Sequence, residues 1–274
     1  MTETADRTVV RKPDIVRALQ ILGVLPGDIL LIHSSMKSFG YVAGGPLAVI
    51  EAAMAAVTGQ GTVVFPTLVQ RDFAHAYINW DKARSPSDVG LISETFRRMA
   101  GTVRSDQATH SVAAWGRQAD ELTRGHTAYG PRMGTFGDYS FSYSSPWQKL
   151  YLYGARICFM GVDTRSNTFK HFVEYCLMET LLKQIADPRL KCPAMAEVKQ
   201  HNKPGIWPYI DSAKAERVLG QQNLITQARC GDAVLTSFKA DDFYQAIYPL
   251  VLGRPQDWFN PEFLAWHERY CGAT

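Results

Sequence analysis

The stretch DILLIHSSMKSFGYVAGGPLAVIEAAMAAVTGQGTVVFP, residues 28–66, decides the fold class. Asp28 to His33 is a short apolar run of strand length. A polar, glycine-rich connection follows, Pro46 opens a segment of helical character to about Val57, and Gly61 to Pro66 is a second apolar run. Strand, loop, helix and strand within so few residues form a βαβ unit, which predicts parallel pairing and a right-handed crossover.

Outward from this unit the pattern continues. Pro13 and Asp14 open a helix whose apolar positions Ile15, Val16, Leu19 and Leu22 recur at helical spacing, with Gly23 as its stop. Gly90 to Met99 is helical in pattern, Ser111 to Trp115 is a strand, and Ala155 to Val162 is another strong strand. The segments 67–88 and 130–146 are loops. After DTRSNT (163–168), Asn167 or Thr168 caps a helix whose residues Phe169, Phe172, Val173, Cys176 and Leu177 face a core. Prolines 193, 204 and 208 and several charges predict an irregular insertion or small subdomain at 188–231, and Asp241 to Leu252 returns to a helix. The expectation is a single α/β domain over 1–274 with a mostly parallel sheet.

The composition of the 274 residues narrows the function classes. A net charge of +3 with no dense basic run does not point to nucleic acid, and no apolar stretch reaches the ~18 residues of a membrane span. MTETADRTVVRKPD (1–14) is polar, unlike a signal peptide, which sets a cytoplasmic expectation. Five scattered cysteines without a C-x-x-C pair argue against a zinc ribbon or a disulfide framework.

Three segments carry candidate chemistry. His33, Ser34 and Ser35 stand at a strand end, where hydroxyls and backbone N–H groups either cradle a phosphate or pantetheine group or satisfy their own turn. Arg104, His110 and Ser111 flank a buried strand. Arg104 meets a phosphate or lies on the surface, and His110 taken alone is better read as a core histidine. His171 and Glu174 lie at i and i+3 in the first turns of a helix after a strand's carboxyl end, where open α/β sheets bind ligands. A metal site at His171 lacks further strong ligands, and no G-x-S-x-G elbow is present for a serine hydrolase. A general base oriented by a carboxylate and a satisfied structural histidine both remain open.

IHSSMKSFG (32–40), Gly-Gly-Pro at 44–46, GTVVFPT (61–67), SPSDVGLISETFR (85–97), RSDQATHSVAAWG (104–116) and NTFKHFVE (167–174) occur in one order. Together they resemble the aminoglycoside 3-N-acetyltransferase (antibiotic N-acetyltransferase) family, strongly over roughly 14–180 and weakly through GDAVLTSFKADDF (231–243). The resemblance implies an α/β/α fold distinct from the common GNAT fold, acetyl-coenzyme A as donor, no metal, and an aminoglycoside amine as acceptor. It implies a catalytic role for His171, for which the i+3 spacing makes Glu174 the candidate orienter. It places His33, Ser34, Ser35, Lys37 and Ser38 in the cofactor region, and Arg104, Ser105, His110 and Ser111 along the cleft that also takes the cofactor. A polycationic acceptor calls for carboxylates, for which Asp72, Asp81, Glu174 and Asp211 are the candidates, although a surface or capping role is the simpler reading for all but Glu174. Many members carry His-Pro where this chain has Gln107-Ala108, which bears on acceptor preference. An N-acetyltransferase of another biosynthetic amine and a non-catalytic coenzyme A-binding homologue are the rival expectations.

Overall fold

A computed structural model describes residues 8–69, 71, 75–199 and 206–272. The first elements among the described residues are a two-residue strand β1 (Val9–Val10) and helix α1 (Lys12–Ile21). Pro13 sits in the first turn of α1, Asp14 accepts from the Arg11 N–H at 2.9 Å, and Gly23 follows at φ 80°. Strand β2 (Ile29–Ser34), the short β3 (Tyr41–Val42), helix α2 (Gly45–Val57) and strand β4 (Thr62–Pro66) complete the βαβ unit. β2 and β4 pair in parallel, with Ile29 opposite Thr62 and Leu31 opposite Val64, as the opening stretch requires.

Next come α3 (Leu91–Arg97), β5 (Val103–Arg104), β6 (Val112–Gly116), α4 (Ala119–Thr123), α5 (Pro146–Leu152) and β7 (Arg156–Met160). Then follow α6 (Phe169–Gln184), α7 (Pro188–Val198), α8 (Ser212–Gln221), β8 (Thr226–Cys230), β9 (Ala233–Lys239), α9 (Ala240–Gly253) and α10 (Pro261–Cys271).

The main sheet runs β5-β6-β4-β2-β7-β9-β8. Only the β4-β2-β7 centre is parallel; β6 against β4, β5 against β6, β9 against β7 and β8 against β9 are antiparallel. The sheet is therefore mixed, which corrects the mostly parallel expectation. The reason is local at one edge: Gly231 and Asp232 alone separate β8 from β9, and a two-residue turn closes only an antiparallel hairpin. At the other, Gly116 ends β6 at φ 112°, and a Cβ there would stand 2.2 Å from the Gly61 carbonyl oxygen.

Residues 188–231, expected as an irregular insertion or small subdomain, contribute α7, α8 and the edge strand β8 among their described residues. Asp187 and Asp211 cap the two helices, and Pro188 occupies a first-turn position, where proline fits because its missing N–H has no helical partner.

Strand alternation divides the core between the two sheet faces. Leu30 and Ile32 of β2 pack with Leu19 of α1, Val49 of α2 and Phe96 of α3. Ile29 and Leu31 face the opposite core, with Trp147 of α5, Phe172 and Val173 of α6, and Ile247 of α9. β2, buried on both faces, is accordingly continuous in apolar residues from Ile29 to Ile32. Among the described residues no helix is long and apolar enough to cross a membrane.

Candidate active site

The segment between β7 and α6 brings His171 to the carboxyl ends of the central strands. Asn167 Oδ1 accepts from the Phe169 N–H at 3.0 Å and so fixes where α6 begins. One turn later His171 Nδ1 lies 2.7 Å from Glu174 Oε2. Glu174 is completely buried. It also accepts from Trp207 Nε1 at 2.8 Å and from the Ile210 N–H at 2.8 Å. Three donors converge on one buried carboxylate, which is how such a group is held without an unpaired charge. The His171 proton is therefore on Nδ1, and the Nε2 lone pair is the free basic position. The imidazole is 18% exposed and lies 4.8 Å from the Phe136 ring and 6.1 Å from that of Tyr209.

A cavity of about 540 Å³ opens beside this histidine, lined among others by His33, Ser34, Pro66, Asn167 and Thr168. His33 is 7% exposed and stacks on Phe159 with ring centroids 5.1 Å apart. Burial lowers its pKa to about 3. Its Nε2 and the Ser34 hydroxyl are buried without a hydrogen-bond partner among the described residues. The remaining members of the first motif diverge. The Ser35 N–H donates to the Met160 carbonyl at 3.0 Å, Lys37 is exposed, and Ser38 borders a separate groove with Asp163, Glu216 and Asp232.

Arg104, Ser105 and Ser111, expected along the cofactor cleft, are not among the residues that line this cavity. Arg104 Nε donates to Thr67 Oγ1 at 3.1 Å and Ser111 Oγ at 3.3 Å, and its terminal nitrogens donate to the Thr67 and Ser85 carbonyls. Its guanidinium lies 4.5 Å over the Trp80 ring. Burial lowers its pKa to about 10, so it stays charged while tying the 80–85 loop to the sheet. Ser105 Oγ accepts from the Val112 N–H and bonds His126 Nδ1, each at 2.9 Å. Ser111 Oγ bonds Thr67 Oγ1 at 3.0 Å.

His110 is a core histidine. It is buried between Phe136 and Phe141, its Nδ1 is 2.9 Å from Thr109 Oγ1, and burial, with a smaller push from His171, holds its pKa well below the ordinary value. Its ring centroid nevertheless lies 6.3 Å from that of His171. Gln107 positions it: Oε1 accepts from the His110 N–H, while Nε2 donates to Tyr77 Oη at 2.8 Å and Ser140 Oγ at 2.9 Å.

Of the proposed acceptor carboxylates, neither Asp81 nor Asp211 lines this cavity. Asp81 is exposed and accepts from the Ala83 and Arg84 N–H groups, and Asp211 is exposed and accepts from the Lys214 N–H. Asp72 lies outside the described residues. Sequence reasoning missed Trp207 and Ile210; the aromatic run Trp207-Pro208-Tyr209 was visible, but no spacing ties it to Glu174. Among the described residues no group of three or more His, Cys, Asp or Glu side chains could hold a metal ion.

The sequence model of the aminoglycoside 3-N-acetyltransferase family matches residues 31–250, most of the chain. The chain belongs to that family. Among curated relatives, an SPbeta prophage-derived aminoglycoside N(3')-acetyltransferase-like protein, YokD, of Bacillus subtilis (strain 168) is 29% identical over 185 residues, 60% of this chain and 64% of the relative. Aminoglycoside N(3)-acetyltransferase IV of Salmonella sp is 32% identical over 166 residues, 60% of this chain and 58% of the relative. The matched region thus spans about three fifths of these relatives' length. The fold is similar to that of aminoglycoside acetyltransferase AAC(3)-IVa, with a TM-score of 0.71 at 24% identity over 95% of this chain and 96% of that one. It is also similar to AAC-IIIb in its binary complex with CoASH, with a TM-score of 0.68 at 18% identity over 93% and 99% of the two chains.

Proposed function

We propose that this protein is an acetyl-coenzyme A-dependent N-acetyltransferase, working as one unit over 1–274 on a fold separate from the GNAT fold, with His171 as general base. The observation that carries the reading is the His171–Glu174 pair, whose carboxylate is fixed by Trp207 and Ile210 and whose free Nε2 stands beside the cavity. The unpartnered His33 Nε2 and Ser34 Oγ suit a ligand carrying carbonyl and amide groups, as the acyl and pantetheine portions of acetyl-coenzyme A do.

His171 Nε2 takes a proton from the acceptor amine as nitrogen attacks the thioester carbon, and Glu174 holds the resulting imidazolium in place. General-base help of this kind contributes ~10²–10⁴ in rate. The proton then goes to the sulfur of departing coenzyme A. Direct transfer is supported by the cysteines: burial pushes the Cys158 and Cys176 thiols up to about 12 and that of Cys230 to about 11, and none lines the cavity.

For the acceptor, family membership supports the 3-amino group of a 2-deoxystreptamine aminoglycoside. Related structures hold such compounds, including a histidine-to-alanine variant of AAC(3)-IVa in complex with a gentamicin and AAC-VIa bound to sisomicin. A second reading, a biosynthetic amine outside this class, is favoured by the engagement of Asp81 and Asp211 in local turns and caps. Mass spectrometry after incubation with acetyl-coenzyme A and gentamicin, apramycin, neomycin or simple amines separates the two. Acetylation of none of them defeats the enzymatic reading.

A further inference from the structure

His33 occupies a position that packing alone does not account for. It stacks on Phe159 with the ring planes 8° apart, as phenylalanine could, yet carries a buried Nε2 that no described residue meets. Leaving such an atom unpaired is unfavourable, a cost removed when a ligand completes the hydrogen bond. The atom belongs to a residue that lines the cavity beside His171. His33 pairs with Phe159 across β2 (Ile29–Ser34) and β7 (Arg156–Met160), and Phe159 belongs to the core on the α6 side of the sheet. His33 and the helix bearing His171 are thus on one face.

Of the other donors near the strand ends, the Ser34 hydroxyl is also unpartnered among the described residues and borders the cavity, while three more are engaged. The Thr67 and Ser111 hydroxyls bond each other and receive Arg104, and the Ser35 N–H is given to Met160. Burial keeps the His33 imidazole neutral throughout the working pH range. A neutral imidazole retains one N–H, and donates it at no cost in solvent reorganisation when already fixed in place.

We propose that His33 Nε2–H donates to the carbonyl oxygen of the acetyl thioester and is a second catalytic residue, opposite in role to His171. This inference rests on the acetyltransferase reading above. As the amine lone pair forms the C–N bond, the carbonyl π pair moves onto the oxygen facing His33. When that pair returns, the C–S bond breaks with its electrons on sulfur. The proton that His171 removed from nitrogen passes to the thiolate, leaving amide and coenzyme A.

The test is infrared difference spectroscopy of acetyl-coenzyme A carrying carbon-13 at the thioester carbonyl, with steady-state kinetics alongside. Bound to the wild-type protein, the carbonyl stretch falls below its value in free acetyl-coenzyme A. In His33→Phe, which keeps the stack on Phe159, it returns toward that value. kcat drops ~10²-fold, the scale of one lost oxyanion donor, while Kd for coenzyme A stays within about threefold. Should His33→Phe not fold, His33→Leu takes its place, and the wild-type spectrum needs no variant. An unshifted wild-type carbonyl, or a folded variant that keeps both the shift and its kcat, overturns the proposal. Calorimetry tells the two failures apart: a protein that binds no acetyl-coenzyme A fails the acetyltransferase reading, and with it this one, whereas binding with an unshifted carbonyl fails only the role of His33.

Discussion

Trp207 Nε1 donates to Glu174 Oε2 at 2.8 Å across 33 residues of chain, so the residues just ahead of α8 reach the His171–Glu174 pair. The same carboxylate oxygen receives His171 Nδ1. Trp207→Phe keeps the apolar body of the side chain and deletes the donor. The expected outcome is a loss of ~1.5–3 kcal/mol in urea unfolding, the scale of one hydrogen bond to a charged group, together with a several-fold fall in kcat. An unchanged unfolding midpoint contradicts the bond.

His171→Ala is expected to lower kcat ~10²-fold or more while leaving acceptor KM and coenzyme A affinity within a few-fold, because it removes a proton acceptor rather than uniform binding. The side chain is partly exposed, so the variant should fold. Near-normal kcat in the folded variant would move the base elsewhere, with His110, 6.3 Å away by ring centroid, as the first alternative.

Glu174→Gln tests the orienter and is harsher than its isosteric look. Its three partners are all donors, so an amide NH₂ must face one of them, either His171 and Trp207 or the Ile210 N–H. Both stability and kcat should fall, the first visible as a lowered Tm. A Tm at the wild-type value with reduced kcat would show that the carboxylate tunes His171 without supporting the fold.

Arg104 separates a structural role from a ligand role. Its nitrogens serve Thr67, Ser111 and Ser85 inside the protein. Arg104→Met removes one donor from each of these partners and leaves the Ser85 carbonyl without this one, and should lower Tm by several degrees, at ~1–3 kcal/mol for an unsatisfied group, with coenzyme A affinity within about threefold in titration calorimetry at a temperature where the variant is folded. Loss of coenzyme A affinity beyond tenfold, without loss of stability, would restore the phosphate-binding reading.

These cases also show what the sequence could reveal. The βαβ unit was legible because β2 and β4 are apolar runs joined by a helix of the right length, and helix and sheet periodicities differ. The His171–Glu174 pair was legible because i and i+3 on a helix are neighbours whatever the rest of the chain does. The contacts of Arg104 were not legible because a guanidinium suits backbone carbonyls as well as phosphates, and only tertiary structure brings Thr67 and Ser85 to it. The β8–β9 hairpin was hidden by its setting: the alternation in Ala233–Lys239 and the Gly231-Asp232 turn stood at the end of a proline-rich stretch that looked irregular. Trp207 and Ile210 are joined to Glu174 only by long-range folding, which leaves no periodic trace.

Stability should fall on acidification for a reason specific to buried histidines. His126 is buried, with Nδ1 bonded to Ser105 Oγ at 2.9 Å and Nε2 to the Ser140 carbonyl at 3.0 Å. Burial lowers its pKa to about 4; the Ser140 bond and Asp106 oppose the shift, and Lys149 adds to it. His33 and His110 are depressed for the same primary reason. In the unfolded chain such histidines titrate near 6.5. Below that pH the unfolded state binds protons that the folded state refuses. The contribution is therefore complete above ~6.5 and is lost as pH falls toward about 4 for His126, at a slope of ~1.4 kcal/mol per pH unit for each histidine in that window. Urea unfolding at pH 7.5, 6.5, 5.5 and 4.5 should show a flat upper region and a steep decline below ~6.5. His126→Gln should start less stable and decline less steeply. Equal slopes for the two proteins would mean that carboxylate protonation alone drives the acid loss.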